Sequence, residues 1–292
     1  MGKPEHSDHQ ATISSDAPPP PYTEGPRPES STSSNINPLT KVNSPYQPFP
    51  PVLYAHYQMK IFTTVFHLGD ETNKKLFAVS VHTGWTGKGP GRPGTILHNG
   101  PTDKDPMFAA AGEEFGEPGS TISPNSAITL PPLSAGAPGG RCTEIMRSTT
   151  SQGTAVFRFT IEVQQGDGSL QRENFEWRKC KGEEAKIIDP PWKTGFKLVR
   201  LSHRPSSSVG EKSQEVTSEG LEVVATFFWN DSWSLMDPFK LEFMGSGRTG
   251  ALGDRFALMT IITGLRLQWL RIQSRTNERN IQRGEARFVP GA

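Results

Sequence analysis

A single apolar run limits the folds open to this chain. The ten residues from Phe256 to Leu265 carry no charge, and the wider stretch Phe256–Leu270 holds no turn signal. The pattern predicts a helix, with Asp254 placed as its N-cap carboxylate. Its first half is apolar on nearly every face, so the helix must be surrounded and not simply laid on a surface. Crossing a bilayer takes about 20 apolar residues, and this run is far shorter. Strands wrapped around the helix satisfy it better. Gly264 in its middle costs about 1 kcal/mol of helix propensity, which predicts that a strand comes close there.

The rest of the chain offers those strands. Met59–Phe66 is β-branched and aromatic, and Leu76–Val81 follows a hairpin loop at Asp70–Asn73. Val156–Val163 alternates so that Phe157, Phe159, Ile161 and Val163 share a face. Gly166-Asp167-Gly168 turns the chain into Asn174–Arg178. Phe196–Leu201, Val223–Trp229 and Phe239–Phe243 complete the readable strands. Short strands separated by Gly, Pro and Asn point to a sandwich or barrel. Two connections read as long, Gly84–Gly94 and Ser202–Gly220.

Residues 1–52 are of another kind. They carry Pro18–Pro21, the run Ser30–Ser34, and Pro45, Pro48, Pro50 and Pro51, with few core-forming side chains. Ordering backbone costs about 1–2 kcal/mol per residue, which such a segment has no apolar surface to offset. It is expected to be disordered. All four tyrosines fall within the first 57 residues, so the globular core must be built from Phe and Trp.

Lys plus Arg total 31 and Asp plus Glu 30, a balance that argues against a protein that coats nucleic acid through bulk charge. Two cysteines, Cys142 and Cys180, make no disulfide framework and read as thiols in a reducing compartment. No secretory pattern opens the sequence, so the sequon at Asn230 is not expected to be glycosylated. His6 stands where a myristoylation motif needs Ser or Thr. The expected location is cytoplasmic, with the membrane periphery open to it.

At this point the chain resembles the tubby-like C-terminal superfamily, which includes plant LURP-one-related proteins and phospholipid scramblases, and in particular members from filamentous fungi. The resembling stretches are Gly84–Gly87, Leu97–Pro101, Asp105-Pro106, Phe175–Arg178, Trp192 with Lys197-Leu198, and Phe243–Gly247, within residues 55–272. The resemblance implies a closed antiparallel β-barrel of about twelve strands enclosing the hydrophobic C-terminal helix. It divides the chain into an arm (1–52), a barrel (53–273) and a basic tail (274–292). It also implies a non-enzymatic domain with membrane lipid among its partners. Tubby proteins hold phosphoinositide headgroups through basic barrel residues, and no matching basic motif stands out here. Scramblases carry a cysteine-rich palmitoylated stretch, which this chain lacks.

Four features carry candidate chemistry. Gly245-Ser246-Gly247-Arg248-Thr249-Gly250 matches a dinucleotide-binding G-x-G-x-x-G between a strand and a helix. No acid follows about 20 residues on and no strand follows the helix, so the plainer reading is a turn that swings the chain into the barrel, with Gly253 just before the cap. Gly87–Gly94 lacks a P-loop's Gly-Lys-Ser/Thr and has prolines where a phosphate cradle needs N–H groups. Pro19-Pro20-Pro21-Tyr22 is a P-P-x-Y element, whose polyproline conformation docks into WW domains at little entropic cost. Arg271, Arg275, Arg279, Arg283 and Arg287 recur every four residues, which on one continuing helix makes a basic row suited to anionic lipid or an acidic partner. The plainer reading is a solvated helix end and a frayed tail.

The seven histidines are scattered and no metal or nucleophile motif is present. His82 and His98 read as structural, Glu113-Glu114 and Glu183-Glu184 as solvated loop charges, and the tryptophans as barrel packing. No cofactor and no metal are expected. The leading expectation is a non-enzymatic adaptor whose arm recruits a WW-domain partner. The alternatives are a peripheral phosphoinositide-binding domain and a nucleotide-dependent enzyme using Gly245–Gly250.

Overall fold

Twelve strands follow one another around a closed ring among the described residues. They are β1 (Val52–His56), β2 (Val65–Gly69), β3 (Lys75–His82), β4 (Gly94–His98), β5 (Met107–Glu113) and β6 (Ser126–Leu130), then β7 (Cys142–Ser151), β8 (Thr154–Gln164), β9 (Leu170–Lys179), β10 (Trp192–Arg200), β11 (Glu222–Asn230) and β12 (Phe239–Phe243). Each strand pairs antiparallel with its sequence neighbours, and β1 closes the ring on β12 through Leu53 opposite Leu241. Closure leaves no strand edge unpaired. Three helices follow: α1 (Gly245–Arg248), α2 (Asp254–Ile272) and α3 (Glu278–Arg287). The computed structural model describes residues 49–57, 64–82, 94–114, 125–133, 140–180, 192–202, 216–230 and 238–287. All lie in the second of two compact units, Pro45–Ala292; the first, Met1–Ser44, falls outside the described residues.

The alternation of β8 directs Ala155, Phe157, Phe159, Ile161 and Val163 into the core, as its sequence predicts. Phe175 and Trp177 of β9 join them, as do Phe196 and Leu198 of β10. The β8–β9 loop turns at Gly168, where φ is 82°, and Asp167 Oδ1 accepts from Ser169 N at 2.8 Å. Asp70 caps the β2–β3 hairpin in the same way, accepting from Thr72 N at 2.9 Å and Lys74 N at 3.2 Å.

α2 is buried along most of its length. Phe256 and Leu258 through Leu267 are all buried, whatever face of the helix they occupy. Within barely one turn its contacts diverge. Trp177 Nε1 on β9 donates to Thr263 Oγ1 at 3.0 Å. A Cβ on Gly264 would stand 3.0 Å from Phe227 on β11 and 3.1 Å from Leu241 on β12. Arg266 Nε donates to Ser126 Oγ on β6 at 2.9 Å. β6 and β12 stand six places apart in the ring of twelve. A helix on the outer wall cannot touch both, so we read these contacts as those of a helix running through the ring. The close approach expected at Gly264 is present, made by side chains of two strands and not by a strand backbone.

Several expectations are corrected. The helix begins at Asp254 itself, and its N-cap is Gly253, with φ 84° and no side-chain cap bond. Asp254 therefore complements the helix dipole from the first turn and does not cap it. The arm does not extend to residue 52. Phe49 packs against Phe77 and Phe108 with ring centroids 5.1 and 5.7 Å apart, and Pro51 O accepts from Phe243 N at 2.8 Å. The strand expected over Met59–Phe66 overlaps β2 only at Val65 and Phe66, and residues 58–63 lie outside the described ones. Five strands, β1, β4, β5, β6 and β7, form where the sequence pattern gives no strand signal.

The tail is no frayed end. α2 stops at Ile272, and Ser274 takes a left-handed φ of 57°. Ser274 N donates to Arg271 O at 2.8 Å and Arg275 N to Leu270 O at 2.7 Å, the paired closure of a Schellman motif. Asn277 Oδ1 then accepts from Arg279 N at 2.9 Å and caps α3. α3 lies against β7 and β8 through buried Ile281. Glu278 bonds Lys179 Nζ at 2.6 Å, and Glu285 bonds Thr150 Oγ1 at 3.3 Å.

Candidate functional site

The last two turns of α2 face β2–β4 and Tyr57 across a cavity of about 170 Å³ at one mouth of the barrel. Phe66 and Val65 of β2, Val81 of β3 and Leu265 and Ile272 of α2 give it an apolar wall. Tyr57, just beyond β1, stacks on Phe66 with centroids 4.6 Å apart. Gln268 ties the wall together, since its Oε1 accepts from Trp229 Nε1 on β11 while its side chain hydrogen-bonds the Tyr57 hydroxyl. Burial pushes Tyr57 up to about 12, only partly offset by the bond from Gln268. The guanidinium of Arg271 sits over the Trp229 ring, 4.4 Å from its centroid, outside the lining.

Two lining groups break the apolar pattern. Thr95 on β4 is only 2 % exposed, and its Oγ1 has no hydrogen-bond partner among the described residues. Trp269 Nε1 on α2 is buried and equally without one. Buried polar atoms are almost always paired, because leaving one unpaired costs about 1–3 kcal/mol. Thr95 and Trp269 line the cavity from opposite sides, and these two atoms are themselves buried beneath its surface.

The sequence-derived candidates fall elsewhere. Pro19, Pro20, Pro21 and Tyr22 lie outside the described residues, as do residues 83–93 of the glycine-rich connection. Gly245, Gly247, Gly250 and Gly253 act as packing and turn residues. Gly245, Gly250 and Gly253 have φ of 46°, 75° and 84°. A Cβ on Gly247 would come within 2.3 Å of Val224 O on β11. The amide of Ser246, which a nucleotide phosphate would need, donates to Glu222 Oε1 at 2.7 Å. A second cavity of about 460 Å³ opens beside Gly250, Leu252 and Arg200. Arg200 is already committed to Glu173, at 2.6 and 2.7 Å.

The basic row is broken by the turn at Ser274. Arg271 stacks on Trp229, and Arg275 on its far side pairs with Glu113 Oε1 at the end of β5. Glu113 is thus a strand residue in an ion pair, not a solvated loop charge. Arg279 and Arg283 remain exposed neighbours on α3, and the side chain of Arg287 lies outside the described residues. Arg266, the charge that follows the uncharged run Phe256–Leu265, is fully buried. Burial lowers its pKa to about 9, Arg275 nearby pushes the same way, and Glu113 opposes.

His98 pairs with Ser80, Nε2 to Oγ 2.8 Å, and its Nδ1 donates to Asp105 O at 2.9 Å. The arrangement resembles a nucleophile and its base, but both residues are buried, at 4 % and 7 % exposure. The Asp105 carboxylate turns away to Thr102 N, at 2.8 Å. The pair clamps the β4–β5 loop onto β3, where Ala78 N also donates to Gly100 O at 2.7 Å. Among the described residues no group of three or more His, Cys, Asp or Glu is placed to hold a metal. Both cysteines are free thiols, and Cys142 Sγ accepts from Arg255 at 2.6 Å. Among the described residues no helix is long and apolar enough to cross a membrane.

No protein-family model, no curated protein and no solved structure matches the chain. The mouth cavity could not be read from the sequence, because its walls come from residues as far apart as Tyr57 and Ile272. The one available signal was Trp269, a lone tryptophan near the end of a helix rich in aliphatic residues.

Proposed function

We propose that this protein is a non-enzymatic binding protein whose barrel takes a small apolar ligand at its mouth. The arm recruits a WW-domain partner through Pro19–Tyr22, which makes the whole an adaptor. The observation that carries the binding half is the apolar cavity of about 170 Å³ between the end of α2 and strands β2–β4. Mouths of β-barrels are a recurrent place for such sites. The filled interior supports a mouth site, because α2 leaves the ring no lumen for a ligand along its first turns. The resemblance to tubby-like domains supports a binding role in place of catalysis.

The test is a fragment screen on the full chain, read on the indole N–H signal of Trp269. Small apolar fragments are expected to shift that signal in a saturable way. A screen in which none does so contradicts the reading. The adaptor half is tested with an arm peptide and its Tyr22→Ala variant on a WW-domain array. Binding lost in the variant supports it, and equal binding by both contradicts it.

A further inference from the structure

One loop is held to the outer face of the barrel by a buried histidine. Phe66 and Leu68 of β2 point into the core, so His67 between them points outward. It is nevertheless only 8 % exposed. Opposite it on β3, Ala78 also lies on the outer face, between the core residues Phe77 and Val79, and is fully buried. The loop of residues 99–106, between β4 and β5, reaches both. Gly100 O accepts from Ala78 N at 2.7 Å, and Pro101 O accepts from His67 Nε2 at 3.0 Å. Asp105 closes the loop on itself, its Oδ2 accepting from Thr102 N at 2.8 Å. We propose that His67 is a proton-operated latch, which holds this loop down while its imidazole is neutral and releases it in mild acid. The strands so joined, β2, β3 and β4, also wall the mouth cavity.

A carbonyl oxygen only accepts, so the hydrogen of the neutral ring sits on Nε2 and Nδ1 carries the bare lone pair. Nδ1 is buried and has no hydrogen-bond partner among the described residues. A second proton must go there, and it makes a buried cation whose new N–H meets no acceptor among those residues. The charges around the ring add to this. Lys75 of β3 repels a cation at His67, and so does His56 of β1, which stands opposite in the ladder. Asp103 of the loop and the Pro101 carbonyl attract one. Burial is the largest influence, and the balance holds the His67 pKa below its ordinary value. Protonated His98, by contrast, would find an acceptor at each nitrogen, Ser80 Oγ and Asp105 O. With the loop lifted, water hydrates the His67 ring and its pKa returns toward the ordinary 6.5. The lifted state binds the proton more readily, so the latch is at full strength above pH 6.5 and weakens as pH falls below it.

The experiment follows hydrogen exchange of the Ala78 amide in the full chain at about pH 7.5 and about pH 5.5, corrected for the intrinsic effect of pH on exchange. That N–H is bonded to the loop, so its protection reports the latch. In the natural protein, protection is expected to fall in acid by up to about tenfold, the limit for one proton of ordinary pKa 6.5 over this range. His67→Gln keeps an N–H donor for Pro101 O and takes up no proton. Its protection is expected to be the same at both pH values. An equal fall in the two proteins shows that another group acts, and overturns the proposal. No fall in the natural protein overturns it as well. Should His67→Gln fail to fold, the imidazole signals of His67 in the natural protein decide. A midpoint below 6.5, together with the fall at Ala78, supports the latch, and a midpoint at or above 6.5 overturns it.

Discussion

Glu173 carries the clearest pH signature in the molecule. It is 5 % exposed, near the start of β9, and burial alone would raise its pKa. Hydrogen bonds from Arg200, Ser202 and Gln165 outweigh burial and bring it from 4.5 to about 2. The unfolded chain therefore takes up a proton at Glu173 before the folded one does. Its contribution to stability is complete above pH 4.5 and is lost as pH falls toward 2. Thermal unfolding followed from pH 5 downward is expected to show a smaller acid loss in Glu173→Gln than in the natural protein. Equal slopes would mean that the Arg200 pair does not bias this proton. The same residue shows a limit of sequence reading. Glu173 looks like any charge on a strand, and its burial follows from Arg200 lying 27 positions away on β10.

At the scale of elements, the break between α2 and α3 turns on Ser274. A non-glycine residue in the left-handed region costs about 1–2 kcal/mol, and glycine gives back part of that through chain entropy. Ser274→Gly is expected to stabilise the protein by about 0.5–1 kcal/mol, seen as a rise in Tm of about 2 °C. A fall in Tm would show that the serine side chain contributes more than its strain costs. The break was legible in principle, since Asn277 before Glu278 is an N-cap signal that the regular arginine spacing overshadowed. The strands that were read are those with alternating aromatic or β-branched residues, such as β8 and β11. β5 was missed because Ala109-Ala110-Ala111-Gly112 has poor strand propensity. Ala109 and Ala111 are buried in the core on a strand that α2 packs against, where small side chains leave room for the helix. Local composition therefore misled where a long-range contact chose the residue.

At the scale of the whole molecule, the apolar helix α2 and the closed ring of strands are the two features that must be fitted together. The need to bury Phe256–Leu265 on every face was visible in the sequence, and so was the choice of β-structure to do it. The mouth cavity was not visible, because it exists only once the helix end, Tyr57 and three strands are assembled. Whether α2 lies inside the ring therefore decides both the fold and the placement of the site. The most direct measurement is a nuclear Overhauser spectrum of the full chain, searched for contacts from one turn of α2 to separated strands. Proton contacts are expected in the same sample from Thr263 to the Trp177 indole, from Gly264 to Leu241, and from Arg266 to Ser126. Contacts from α2 to adjacent strands on one side of the ring only, with the others absent, would contradict it.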